Sequence, residues 1–192
     1  MKVSVFGGTN NKNYTKREEE ECKKLGVYLG TNKDEVLTGG CGGYPYFVGK
    51  AAVDNGSRVW GYSPALTEDE HVNTYGYPID GVTDMLFKGD ATVTRAESLL
   101  KRMQDMVPFA PVCVALGGSW GTYYELILAF WYKKTIILVE EFGAAVEAFS
   151  NTYEFFGKRD INPDVHYGPT IIKVKNIDGA IAELEKFRKE QK

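Results

Sequence analysis

Three stretches of this chain share one design: a short apolar run ends in glycines, and a helical pattern follows. Residues 2–6 run into Gly7-Gly8, and Glu35–Thr38 runs into Gly39-Gly40-Cys41-Gly42-Gly43. Residues 111–116 run into Gly117-Gly118-Ser119-Trp120-Gly121-Thr122. Strand, glycine turn and helix in repetition specify parallel strands joined by crossover helices. In an open sheet of this kind the strand C-termini gather on one side, and a ligand binds there, where strand order reverses. The three turns are therefore expected to converge on one ligand.

The rest of the chain fits that plan. Helices are expected over residues 15–29, 45–55, 91–106, 122–133, 143–155 and 177–190, with Pro45 tolerated in a first turn. Strands are expected over residues 57–62, 81–88, 135–139 and 170–174, the last at an edge because of its lysines. The acidic run Glu18 to Glu21 reads as a solvated face. Residues 63–77 form a polar loop long enough for a lid or a subunit contact, and residues 158–168 read as turns. A length of 192 residues, 43% of them hydrophobic and 26% charged, suits one globular unit with a real core. The fold class expected is α/β: a single Rossmann-like, three-layer domain over residues 1–192, its sheet mainly parallel and its helices on both faces.

The third turn carries most of the chemistry. A strand that turns through glycines into a helix points free N–H groups forward, and the helix dipole adds partial positive charge. That makes a seat for phosphate. No G-x-G-x-x-G dinucleotide fingerprint and no G-K-[ST] loop is present, so a single-phosphate, nucleotide-like ligand suits better than NAD or ATP. The candidate phosphate and nucleotide contacts are Gly8, Gly39, Gly40, Gly42, Gly43, Gly118, Ser119, Gly121 and Thr122. Glu125 is the odd part, because a pure anion binder gains nothing from a carboxylate one turn into the helix. A plainer reading exists: Thr122-x-x-Glu125 before an apolar run is also the pattern of a capping box.

Composition closes off other classes. A net charge of -3 without a basic block argues against nucleic acid. No apolar run approaches the roughly 20 residues of a membrane span. Residues 1–6 enter a strand pattern at once, too soon for a signal peptide. Cys22, Cys41 and Cys113 share no CxxC spacing, which points to a reducing, cytoplasmic setting without a disulfide frame or metal site.

The turn motifs resemble those of the SLOG superfamily, whose best-known branch is the LOG cytokinin-nucleotide phosphoribohydrolases, often mislabelled lysine decarboxylases. The resemblance rests on Thr38-Gly39-Gly40-Cys41-Gly42-Gly43 and on an arginine, Arg102, fifteen residues before the Gly117 turn. The family's P-G-G-x-G-T-x-x-E motif matches Gly117 to Glu125, with Gly117 at the Pro and Ser119 at the second Gly. Gly117 in place of Pro looks closer to the bacterial branch that includes molybdenum-cofactor-carrier-like proteins. The resemblance implies a Rossmann-like fold, a homodimer or higher homo-oligomer, and a small nucleotide-like ligand with no resident cofactor. It also implies roles: the glycine turns hold a 5′-phosphate, while Arg102 and Glu125 act at the N-glycosidic bond.

Two functions follow, from different classes. One is an enzyme that hydrolyses a nucleoside 5′-monophosphate to base and ribose 5-phosphate. The other is a carrier or sensor of a nucleotide-like ligand, such as the molybdenum cofactor. Lysine decarboxylation would need a lysine for pyridoxal phosphate, and Lys50, the only one near a glycine turn, sits in mid-helix. Arg95, seven residues before Arg102, shares its helix face and reads as solvated. Trp120, Tyr123 and Tyr124 could stack on a base or serve core and interface. The all-round apolar helix they begin suggests a subunit contact. His71 and His166 read as surface residues, Cys41 as a thiol touching ligand, and Cys22 and Cys113 as buried filler.

Overall fold

The computed structural model describes residues 1–9, 14–157 and 169–190. The expected turns at 158–168, and His166 with them, lie outside the described residues. Among the described residues, seven strands form one sheet in the order β4-β3-β2-β1-β5-β6-β7. They are β1 (Lys2–Gly7), β2 (Glu35–Thr38), β3 (Val59–Ser63), β4 (Asp84–Phe87), β5 (Val112–Leu116), β6 (Thr135–Val139) and β7 (Ile171–Val174). Every neighbouring pair is parallel. The chain builds outward from β1 to β4, returns to place β5 on the other side of β1, and builds outward again. Strand order therefore reverses between β1 and β5.

Among the described residues there are six α-helices: α1 (Lys16–Thr31), α2 (Tyr44–Asp54), α3 (Arg95–Met106), α4 (Trp120–Trp131) and α5 (Ala145–Gly157) connect strands, and α6 (Ile177–Glu190) follows β7. They divide by face. Val3, Val5, Val112 and Val114 turn toward Leu25, Val48 and Leu184, from α1, α2 and α6. Phe6, Cys113, Ala115 and Ile136 turn the other way, toward Met106, Leu126 and Phe149, from α3, α4 and α5. Alternation along the central strands thus feeds two cores, which is why β5 and β6 read as nearly unbroken apolar runs rather than half-polar ones. Each large side chain buried in this way contributes roughly 1.5–3 kcal/mol.

Two helices begin on a capping box, Thr15 with Glu18 in α1 and Thr94 with Glu97 in α3. Glu18 also accepts the Tyr44 hydroxyl at 2.8 Å, so the first carboxylate of the acidic run caps a helix rather than merely facing water. The long loop is more regular than its composition suggests. It holds a wide helical turn, Glu70–Thr74, and buries His71 completely. The surface reading of His71 is therefore corrected: its ring sits against Tyr77 and Phe87, and Ser63 satisfies its Nδ1. Among the described residues, no helix is long and apolar enough to cross a membrane.

Candidate functional site

A cavity of about 210 Å³ opens at the β1–β5 switch point. Its walls include Gly8 after β1, Gly39 after β2, and Ser119, Gly121 and Thr122 at the start of α4. Arg102 and Glu125 also line it. The other glycines singled out from sequence stand behind the wall and hold neighbouring chain. A side chain at Gly40 would meet Met85 and Gly61, and one at Gly42 would meet the Thr9 carbonyl. One at Gly43 would overlap the Gly8 carbonyl, and one at Gly118 would overlap Thr122. Gly8 itself is tied into the scaffold, its N–H donating to Leu116 O and its carbonyl accepting from Tyr44 N.

The start of α4 differs from those of α1 and α3. Ser119 stands at the N-cap without a side-chain hydrogen bond, and the first helical bond runs from Tyr123 N–H to Ser119 O. The amides of Trp120, Gly121 and Thr122 precede that bond and receive no side-chain cap. This is the arrangement in which a helix start receives an anion. It also removes the capping-box reading of Thr122 and Glu125. The helix begins at Trp120, so Thr122 is its third residue and Glu125 lies well inside it.

Glu125 and Arg102 meet at the cavity floor. Both are almost wholly buried, with Arg102 Nη2 3.4 Å from Glu125 Oε1. Arg102 Nη1 donates to Gly39 O at 2.6 Å and to Tyr62 O at 3.3 Å. The guanidinium fork therefore grips the ends of β2 and β3 rather than standing free for a phosphate. A side chain at Gly39 would displace the guanidinium, since a Cβ would lie 2.1 Å from Arg102 Nη1. Arg95, by contrast, is exposed and lies over the Tyr75 ring at 4.1 Å, so the two arginines part company.

Burial pushes the Glu125 carboxyl up to about 7, with Arg102 opposing and only partly offsetting it. Burial likewise raises the Cys41 thiol, which lies 3.9 Å from Arg102 Nη1 and lines the cavity as a neutral group. The Glu125 shift has a consequence for stability. Its ordinary value is 4.5, so between pH 4.5 and about 7 the folded chain holds a proton that the unfolded chain has lost. Stability from this group is full below pH 4.5 and falls as pH rises through 7, by about 3 kcal/mol in all. Thermal unfolding of the wild type should decline across that window relative to Glu125→Gln, which cannot titrate. Parallel curves would show that Glu125 ionises normally.

Several wall residues carried no sequence signal. Pro64 and Tyr77 arrive from the loop after β3, and Leu99 and Met103 from α3. Of the aromatics near the third turn, Tyr123 is half-buried, packs on Phe149 and donates to Thr152 Oγ1 at 2.8 Å. Tyr124 accepts from Gln104 at 3.4 Å, while Trp120 is 87% exposed beside the cavity. Cys22 and Cys113 are buried, as their apolar neighbours suggest.

The fold has solved counterparts. The chain is similar to the X-ray structure of TM1055, at 20% identity and a TM-score of 0.74 over 96% of this chain and 98% of that one. It is similar to the molybdenum cofactor carrier protein of Chlamydomonas reinhardtii, at 22% identity and a TM-score of 0.65 over 96% of each chain. It is also similar to DNA processing protein A of Helicobacter pylori, whose structure describes single-stranded DNA binding. There identity is 16% and the TM-score 0.63, over 97% of this chain and 80% of that one. No curated protein sequence matches. The SLOG cluster4 family model matches residues 1–164, most of the chain and every part of the cavity wall, and the chain belongs to that family.

Proposed function

We propose that the cavity binds a nucleoside 5′-monophosphate or close analogue and hydrolyses its N-glycosidic bond. The observation that carries this is Glu125, a buried carboxyl poised at about 7 beside a fixed guanidinium on the cavity floor. A carboxyl poised near the working pH is suited to general acid–base chemistry. The uncapped start of α4 supplies the phosphate seat, and Ser119 and Thr122 add hydroxyls there. As the bond between C1′ and the base nitrogen breaks, its electron pair leaves with the base and C1′ gains oxocarbenium character. Ionised Glu125 steadies that charge and takes a proton from the water that adds to C1′, and that proton passes on to the nitrogen of the departing base, which restores the carboxylate. Arg102 keeps Glu125 in place and favours its ionised form.

The base role fixes the pH dependence. Glu125 must be ionised to act, so kcat/KM should rise about tenfold per unit below pH 7 and level off above it. A profile flat across that range would sink the assignment.

The second reading is a carrier or sensor of a nucleotide-like ligand. Its support is the engagement of Arg102 Nη1 by two backbone carbonyls, together with the likeness to a molybdenum cofactor carrier. Incubation with a panel of nucleoside 5′-monophosphates, with free base measured by chromatography, separates the two. Release names an enzyme and its substrate. No release, with ligand retained in native mass spectrometry, names a binder. In either case the partner is a small molecule, since a net charge of -3 gives single-stranded DNA no basic track to follow. The reading includes a cytoplasmic homodimer through α4, where Trp120 and Trp131 are 87% and 70% exposed.

A further inference from the structure

The cavity wall is divided by chemistry. The β1 and α4 side is backbone and hydroxyl: Gly8, Ser119, Gly121 and Thr122. The loop after β3 and α3 bring apolar groups to the same cavity: Pro64, Tyr77, Leu99 and Met103. Arg102 lies between them, holding the ends of β2 and β3 with one nitrogen and facing Glu125 with another. In the sheet order, β3 stands three strand spacings from β5, about 14 Å. A phosphate, a ribose and a base laid end to end reach across a span of that order.

Tyr77 is held on this wall by its own loop. Its N–H donates to His71 O at 3.1 Å, and its ring meets the His71 ring edge-on at 5.4 Å. His71 in turn is fixed by Ser63 Oγ at 2.8 Å, and that oxygen accepts the Ala65 N–H at 3.0 Å. Nε2 faces the Pro78 carbonyl at 3.5 Å, which can only accept, so the ring proton sits on Nε2 and Nδ1 accepts the Ser63 hydroxyl. Further out, Glu70 binds both Leu66 N–H and the Tyr75 hydroxyl, and Arg95 covers the Tyr75 ring. The loop is thus braced at several points by polar contacts, with an aromatic stack leading to the cavity. The Tyr77 hydroxyl has no hydrogen-bond partner among the described residues, and the side chain is only half-buried. A tyrosine fixed from behind, lining the cavity and unpaired in front is a surface prepared for something else.

We infer that Tyr77, which lines the cavity together with Pro64 and Leu99, is the residue that recognises the ligand's planar heteroaromatic ring, with His71 as its positioning residue. This rests on the phosphate-ligand reading above and adds the end of the ligand that reading leaves open. It holds for a base that is cleaved and for one that is only carried, because stacking takes any flat ring.

The test uses two kinds of probe on the Glu125→Gln protein, where nothing is consumed. One is the set AMP, GMP, CMP and UMP, and the other is ribose 5-phosphate, which has the phosphate and sugar but no ring. Equilibrium dialysis should show at least one nucleotide binding more tightly than ribose 5-phosphate. Adding Tyr77→Ala should weaken that nucleotide tenfold or more and leave ribose 5-phosphate unchanged. Adding Tyr77→Phe, which keeps the ring, should restore most of the preference. The inference fails, with the phosphate site intact, if Tyr77→Ala leaves the nucleotide preference in place or weakens both probes alike. It fails together with the phosphate reading if the parent protein binds neither probe.

Discussion

Glu125→Gln is expected to cut release of free base by about a thousandfold while leaving nucleotide binding within a few-fold of the wild type. General acid–base groups typically contribute 10²–10⁴-fold. The amide keeps the shape of the carboxylate and its contact with Arg102 but cannot ionise, so it can neither steady C1′ nor take a proton from water. Binding should survive, because the phosphate seat belongs to the first turn of α4, and Glu125 lies beyond that turn. Two assays read the split: chromatography of free base under saturating nucleotide, and native mass spectrometry of retained ligand. A fall in binding as large as the fall in release would make Glu125 part of the scaffold. Undiminished release would remove it from the reaction altogether. The same variant removes a titrating group from the core, so the expected loss of its pH-dependent stability serves as an independent control on its environment.

Much of the layout was legible because two-sided burial writes itself into the strands. β2, β6 and α6 lie where the apolar pattern puts them, and the glycines after β1, β2 and β5 do gather at the switch point. What the glycines do there was less legible. Glycine marks any place where a side chain will not fit, and sequence does not say whether ligand or protein fills the space. At Gly40, Gly43 and Gly118 it is protein. The pattern Thr-x-x-Glu makes the same point. It occurs at Thr15, Thr67, Thr94 and Thr122, and those at Thr15 and Thr94 are capping boxes. The one at Thr122 is not, because the N-cap of α4 is Ser119, three residues earlier, which frees Glu125 to turn inward toward Arg102. His71 and Tyr77 were missed for a different reason. A polar loop offers no periodicity, so nothing local tells that Ser63 and Phe87, from two strands, enclose the imidazole.

Gly43→Ala is expected to destabilise the fold far more than Gly143→Ala, although the two backbones are nearly alike. Gly43 has φ 85 and ψ -151, and Gly143 has φ 58 and ψ -146. Both lie where an L-residue is strained, at a cost of about 1–3 kcal/mol. At Gly143 that is the whole cost, since nothing lies within 4 Å of an added Cβ. At Gly43 the Cβ would stand 1.9 Å from the Gly8 carbonyl oxygen. That oxygen cannot step aside cheaply, because it accepts the Tyr44 N–H at 3.0 Å and its own residue is bonded to Leu116 across the switch point. The total should reach about 4 kcal/mol or more, a value reserved for clashes and broken networks. In a chain of this length that lowers the melting temperature by roughly 8–16 °C, against a few degrees for Gly143→Ala. Equal losses would mean that the turns after β1 and β2 slide past each other freely. Unequal losses would mean that they are locked together, and the lock matters for the site. Gly43 touches no ligand space, yet it fixes Gly8 on one wall of the cavity to the strand whose other end-glycine, Gly39, seats Arg102 on the floor.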